Sequence, residues 1–410
     1  MNNSIIRLCN YKIKASNKSC RLLLMLCILH LFFNSLSIKT ASGQSPDSIQ
    51  IFDSSYPRGA FFRFSEKNAR NGLPFMTWEN IYSGLAGIMG KTEAEELDNN
   101  PNVLKYFRKF KSAYPDQVAI IHFNGNGRLP EYNRESFFAG HWLHYEGTAI
   151  LQDLPAESGI SNIKVKDASL FFMEVGRYSN KGDDITLTTL NPDGTPNWNE
   201  AEEVKLTAVN VESNIITVKR GQYGTQPLSF NSGNAYAAAH VTEGPWGDKD
   251  NGLLWAYNYS IRCPKDLHGN NCNDVLIEEL STNFNYGGKW EMLDGVEFDI
   301  MPSSIKMSQQ KQHQSAGHVP DTDGDGIGDG GIFNGINEYG IGNFNFLSQL
   351  RKTIGNSKLI LADGQGAEQQ RSSYILNGTE QEGFPNNNPR NFLRWSMGLN
   401  MFRFWNNVSV

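Results

Sequence analysis

The chain has 410 residues, 39% of them hydrophobic and 11% aromatic, enough apolar mass for one large core with a smaller module beside it. Its formal charge is -6, and no basic stripe interrupts the acidic balance. Nucleic acid is therefore excluded as a partner, since phosphate backbones need clustered cations. At the N-terminus, Arg7, Lys12, Lys14, Lys18 and Arg21 precede an apolar run from Leu22 to Phe33 and the small residues Ala41, Ser42 and Gly43. That order is the layout of a secretory signal peptide over residues 1–43. A membrane anchor is the competing reading, but about a dozen apolar residues are short for a bilayer. Cleavage leaves no stable membrane span and places the body in the periplasm or outside the cell. Of five cysteines only Cys263 and Cys272 then remain, close enough in sequence to close a small disulfide loop in an oxidising compartment; two unpaired buried thiols are the alternative.

Residues 44–158 alternate strand and helix. Ala60 to Phe64 reads as a first strand, helical runs follow around Trp78 to Met89 and from Val103 to Ala113, and Gln117 to Phe123 is a second strand ending in the loop Asn124-Gly125-Asn126-Gly127. Strand, helices, strand is the rhythm of a parallel sheet. Over residues 159–242 the pattern changes to short alternating runs separated by turns, such as Asp184 to Thr188 and Ile215 to Val218, which predicts an inserted all-β module. The first rhythm resumes over 243–410. Leu253 to Tyr259 is a third strand, Asp274 to Phe284 a helix, Leu293 to Pro302 a fourth strand and Phe344 to Ile354 a helix. Lys358 to Asp363 is a fifth strand, Glu368 to Leu376 a helix, Gly378 to Gly383 a short sixth strand, Phe392 to Leu399 a helix and Asn400 to Trp405 a seventh strand. The expected fold is α/β, a (β/α)8-type TIM barrel; no residues remain for an eighth strand, so either the chain is a fragment, incomplete at the C-terminus, or the barrel closes unconventionally.

The stretch around which this barrel is organised is Leu293-Asp294-Gly295-Val296-Glu297-Phe298-Asp299-Ile300-Met301-Pro302. Its period of two sends Val296, Phe298 and Ile300 under the outer helices and Glu297 and Asp299 inward, with Asp299 nearer the C-terminal mouth. That mouth is where barrel enzymes keep their chemistry. Asp299, Asp363 and Glu382 all fall at such strand ends. Glu297 lies one layer deeper and reads as a structural carboxylate bonded to Arg63 or another donor.

The DG-x-x-x-D strand, together with Leu254 to Ser260, Ala362-Asp363-Gly364 and Asn377 to Gly383, resembles a family of hypothetical bacterial glycosyl hydrolases over roughly residues 56 to 405. The resemblance implies a TIM-type barrel that hydrolyses a poly- or oligosaccharide through two carboxyl groups, one protonating the leaving oxygen and one attacking or activating water. By analogy with such barrels Asp299 is the nucleophile or base and Glu382 the general acid. Asp363 is the alternative partner, or else merely caps the helix after its strand. Met301 stands where chitinase-like barrels carry their catalytic glutamate, which disfavours a substrate-assisted mechanism. His122, Asn124 and Asn258 end strands where they would bond sugar hydroxyls, and Trp142, Trp255 and Trp405 supply faces for stacking. The rival reading is a non-catalytic surface protein that holds glycan in the same groove.

Asp321-Thr322-Asp323-Gly324-Asp325-Gly326-Ile327-Gly328-Asp329 places oxygen ligands at alternate positions with a glycine at the sharp turn, as a calcium loop requires. It resembles thrombospondin type 3 and dockerin-like loops, with Asp321, Asp323, Asp325 and Asp329 as ligands of a structural Ca2+ within residues 321–332. Ile332 stands where an EF-hand has its bidentate glutamate. A solvated acidic loop is the alternative.

Overall fold

The computed structural model describes residues 60–405 apart from 63, 92–100, 133, 302, 306–309, 364–371, 381–394, 397 and 401–402. The chain divides into Met1–Gln44 and Ser45–Val410. The first unit, and with it the expected signal peptide, lies outside the described residues. Among those residues no helix is long and apolar enough to cross a membrane.

The central element is a five-stranded, wholly parallel sheet that curves as a half-barrel: β1 Ala60–Phe62, β2 Gly87–Lys91, β3 Val118–Asn124, β4 Gly295–Asp299 and β5 Leu359–Ala362, hydrogen-bonded in chain order. A further, isolated parallel bridge joins Leu361 to Gly378. Strands in chain order with helices between them are the right-handed β-α-β build. The longer helices are α1 Phe75–Tyr82, α2 Pro101–Ala113, α3 Cys272–Phe284 and α4 Glu338–Ile354, with shorter ones over Phe64–Arg70 and Lys311–Ala316.

Strand alternation divides the sheet into two chemistries. Ala119, Ile121, Phe123, Val296, Phe298, Ile360 and Ala362 join the helices' Phe107, Leu276 and Phe346 in the main core. Phe298 bridges the layers, edge-on to Phe123 at 5.8 Å and to Phe346 at 5.6 Å. The other face begins with a small apolar floor, Val118 and Ile120 with Met89, Leu359 and Leu361. Above that floor it turns polar.

Two close approaches explain glycines in the strands. A side chain on Gly87 would run into the backbone of Val118, and one on Gly295 into the backbone of Leu359. Asp294, just before, accepts the Ala119 amide at 2.7 Å and pairs with Lys111 at 2.7 Å, so the Asp-Gly pair locks the entry of β4.

The expected β module is present as a six-stranded antiparallel sheet built from Thr148–Ala149, Ile160–Lys164, Asp184–Leu190, Pro196–Asn210, Ile215–Lys219 and Ala235–Ala239. It enters the chain after β3 and before α3, so it occupies the connection that leaves the C-terminal end of β3. Most of its buried residues belong to the same core cluster as the helices, while Trp198, Tyr236 and Ala238 form a small cluster with Ala139, and it does not form a separate unit.

Several expected elements differ. Leu254–Ala256 is not a barrel strand: it pairs antiparallel with Thr242–Glu243 and with Gly127–Arg128 in a three-stranded sheet of the insertion. The residues read as the end of a helix at Met89 form β2 instead. Ser372 to Leu376 makes turns and a short 3-10 segment, and Asn400 and 403–405, expected in a seventh strand, are helical. Cys263 and Cys272 are buried free thiols, not a disulfide. Burial pushes the Cys263 thiol up to about 12, and its Sγ donates toward the Gly140 and Pro264 carbonyls.

Candidate active site

The polar face of the half-barrel is layered by register. Lys91, His122, Glu297 and Leu361 are successive cross-strand partners, one deep row. Asn124 and Asp299 are partners in the next row, at the C-terminal rim. Carried two residues on from Leu361 and Gly378, the same parity brings Asp363 and Glu380 to that rim. Parity thus gathers one imidazole and four carboxyls at one end of a parallel sheet.

His122 links the two rows. Its Nε2 lies 3.5 Å from Oε2 of Glu297 and 3.5 Å from Oδ2 of Asp299. Glu297 is 1% exposed, and neither of its oxygens accepts a hydrogen bond. The contact from His122 is too long or poorly aimed for one, and the other near neighbour is the Glu380 carboxyl. Burial first, then the charge of Glu380 and a side-chain hydrogen bond shared with it, then the charges of Asp299 and Asp363, push the Glu297 carboxyl up to about 10. Glu297 therefore holds a proton at neutral pH, among further carboxyls.

The rim is held firmly. Gly125 donates its amide to the Asp299 carbonyl at 2.6 Å, Met301 to the Asp363 carbonyl at 2.8 Å, and Asp363 to the Phe298 carbonyl at 2.8 Å. Ile300, between Asp299 and Met301, has φ of 56°. A β-branched residue reaches that conformation only under strain, and such strain is concentrated at functional sites. Beside it, Asn124 Oδ1 accepts the amides of Asn126 and Gly127 at 2.9 and 3.1 Å, while its Nδ2 donates to Glu243 at 3.0 Å.

The other expected site residues scatter. Glu382 and Arg63 lie outside the described residues. Trp142 and Trp255 are 1% and 0% exposed, packed edge to face at 5.7 Å, and Trp255 donates to Asp184 at 2.9 Å. They are core, not sugar platforms. Trp405 is likewise buried. Asn258 is buried and structural, donating to the Thr322 carbonyl at 2.9 Å and accepting the Ser260 amide at 3.1 Å. Glu380 was missed, although the alternation that selected Glu382 selects it too, one row deeper. Glu297 was set aside as a structural carboxylate with a basic donor, whereas its electrostatic neighbours are mostly acids.

In the aspartate loop, Asp321, Asp323 and Asp325 each offer an oxygen within 4.8 Å of the others. Asp329 serves differently: it accepts the Thr322 amide and hydroxyl at 2.8 and 2.7 Å and also the Gly331 amide at 2.5 Å, stapling the loop closed. Pro320–Asp321 pairs with His144–Tyr145, and Trp198 and Tyr236 donate to the Gly324 and Gly326 carbonyls at 2.8 and 3.1 Å. The loop is thus docked on the β module.

No family matches the sequence, and no curated protein does. Solved structures similar to it include Cryptosporidium parvum pyruvate kinase in complex with ADP, at 7% identity and a TM-score of 0.25 over 80% of this chain and 50% of that one. Pyruvate kinase from Pyrobaculum aerophilum is similar at 10% identity and a TM-score of 0.20, over 85% and 72%. The chain spans half the length of the first of these. Likeness at this level carries no argument about function.

Proposed function

We propose that the protein is a secreted hydrolase of glycosidic bonds in a poly- or oligosaccharide, with Asp299 as nucleophile or base and Asp363 as proton donor. The observation that supports it is the pair of rim carboxylates on adjacent parallel strands, cross-tied by the Met301 and Asp363 amides. Neighbouring strands lie about 4.8 Å apart. That spacing is close to the roughly 5–5.5 Å between the carboxyls of a retaining glycosidase. Asp299 keeps 22% of its side chain exposed, enough to meet a ligand in the cleft. We read the half-barrel, extended by the parallel bridge at Gly378, as part of a (β/α)8 barrel, whose chemistry belongs at this end.

The test is reducing-end release from a panel of poly- and oligosaccharides. The wild type is expected to release sugar, and Asp299→Asn to lose at least about a thousandfold while melting normally. Wild type inert across the panel, or Asp299→Asn fully active, overturns the reading.

We also infer a structural Ca2+ on Asp321, Asp323 and Asp325, supported by their grouped oxygens and by an all-oxygen donor set that suits a hard cation. It would brace the β module and take no part in hydrolysis.

A further inference from the structure

Between the deep row and the rim above it lies a second kind of site. His122 contributes a ring nitrogen, and Glu297 and Glu380 one carboxylate oxygen each, all three within 4.8 Å of one another. Ligands about 2.0–2.2 Å from a common centre span such a triangle after small side-chain adjustments. Glu297 supplies the independent sign that something positive belongs there. Its carboxyl is 1% exposed, has no hydrogen-bond donor on either oxygen, and faces further carboxyls. A buried carboxylate in that position is costly unless neutralised by a proton or a cation.

We propose that His122, Glu297 and Glu380 bind one first-row divalent transition metal ion, Mn2+ or Zn2+, at the C-terminal end of the parallel sheet. The donor set decides the class. One imidazole with two carboxylates suits Zn2+, Mn2+ or Fe2+ better than Ca2+, which prefers oxygen throughout and has its own candidate loop. Three protein ligands leave coordination positions open. Asp299 Oδ2, 3.5 Å from His122 Nε2, stands where it orients the ring or receives a metal-bound water. Lys91 is level with His122 on the neighbouring strand and marks the side from which a competing positive charge would come. The rim pair Asp299 and Asp363 retains its own roles. The site therefore goes beyond the hydrolase reading and does not depend on it.

The experiment uses the full chain, stripped with chelator, in which Asp321→Asn and Asp323→Asn silence the aspartate loop. Mn2+ and Zn2+ are titrated calorimetrically, with Mn2+ also followed by electron paramagnetic resonance. One equivalent is expected to bind. Adding His122→Ala, Glu297→Gln or Glu380→Gln is expected to weaken it by at least about tenfold. Glu380→Gln alters a half-buried rim position and keeps the test valid if the deeper variants fail to fold. No binding of either ion by the loop-silenced chain, or undiminished binding by the folded variants, overturns the site. Sugar release without metal binding overturns the metal site alone; metal binding by a wild type inert on every sugar supports the site and removes the hydrolase reading.

Discussion

Glu297 and His122 are direct cross-strand partners in β4 and β3, and Oε2 of one lies 3.5 Å from Nε2 of the other. The contact does not compensate the carboxyl, whose affinity for protons is dominated by burial and by neighbouring acids. The consequence for stability follows from linkage. A carboxyl raised from the usual 4.5 to about 10 contributes fully below its unfolded value, and that contribution drains as pH rises through the window between them. In metal-free protein Glu297→Gln should therefore be the more stable form at pH 8, by on the order of 2 kcal/mol, with the difference vanishing near pH 4. Urea unfolding at the two pH values measures it. Equal stability at both would show that Glu297 is ionised and compensated in the folded state.

The aspartate loop titrates by the same logic. Burial, then Asp323 and Asp325, raise the Asp321 carboxyl from 3.8 to about 7 against the lowering influence of the Gly324 and Gly326 amides. Chelated protein should lose stability as pH climbs from about 4 to 7, and saturating Ca2+ should abolish that loss by holding Asp321 ionised. At a hundredfold excess over its dissociation constant, Ca2+ adds about 2.7 kcal/mol. Melting scans of wild type and Asp323→Asn with Ca2+ or chelator check this; a wild type indifferent to chelator removes the ion.

Gly295→Ala places a methyl group against the backbone of Leu359, and neither strand can retreat without breaking the β4–β5 ladder. A loss of more than about 3 kcal/mol is expected, larger than for an exposed glycine such as Gly159. Chemical denaturation of the two variants compares them directly.

Cys263 and Cys272 should both be unreactive toward a thiol reagent in the folded protein, and both should react after unfolding without reductant. Two thiols counted only after reduction would mean that they are bridged.

Much of the polar row was legible because it needs only parity. Once Val296 and Phe298 face helices, Glu297 and Asp299 must face the other way. Depth was not legible, because it depends on register between distant strands: His122 meets Glu297 through a pairing 175 residues apart in sequence, and nothing local in Glu297 announces that its neighbours are acids. β2 was hidden for a different reason. Gly87-Ile88-Met89-Gly90-Lys91 has two glycines and no alternation, and its strand character comes from the tight approach of Val118. Omitting it while promoting Leu254–Ala256 left the strand count at Asp299 unchanged, so the rim position survived two compensating misassignments. The tryptophans were misread because aromatic density marks a core more often than a ligand platform.

The antiparallel pairing of Pro320–Asp321 with His144–Tyr145 behaves as a clasp between the two longest excursions of the chain, one leaving the end of β3 and the other the end of β4. Whatever unfastens the aspartate loop, whether acid, heat or a stronger chelator, also frees His144–Tyr145, so two stretches far apart in sequence are held together by one turn.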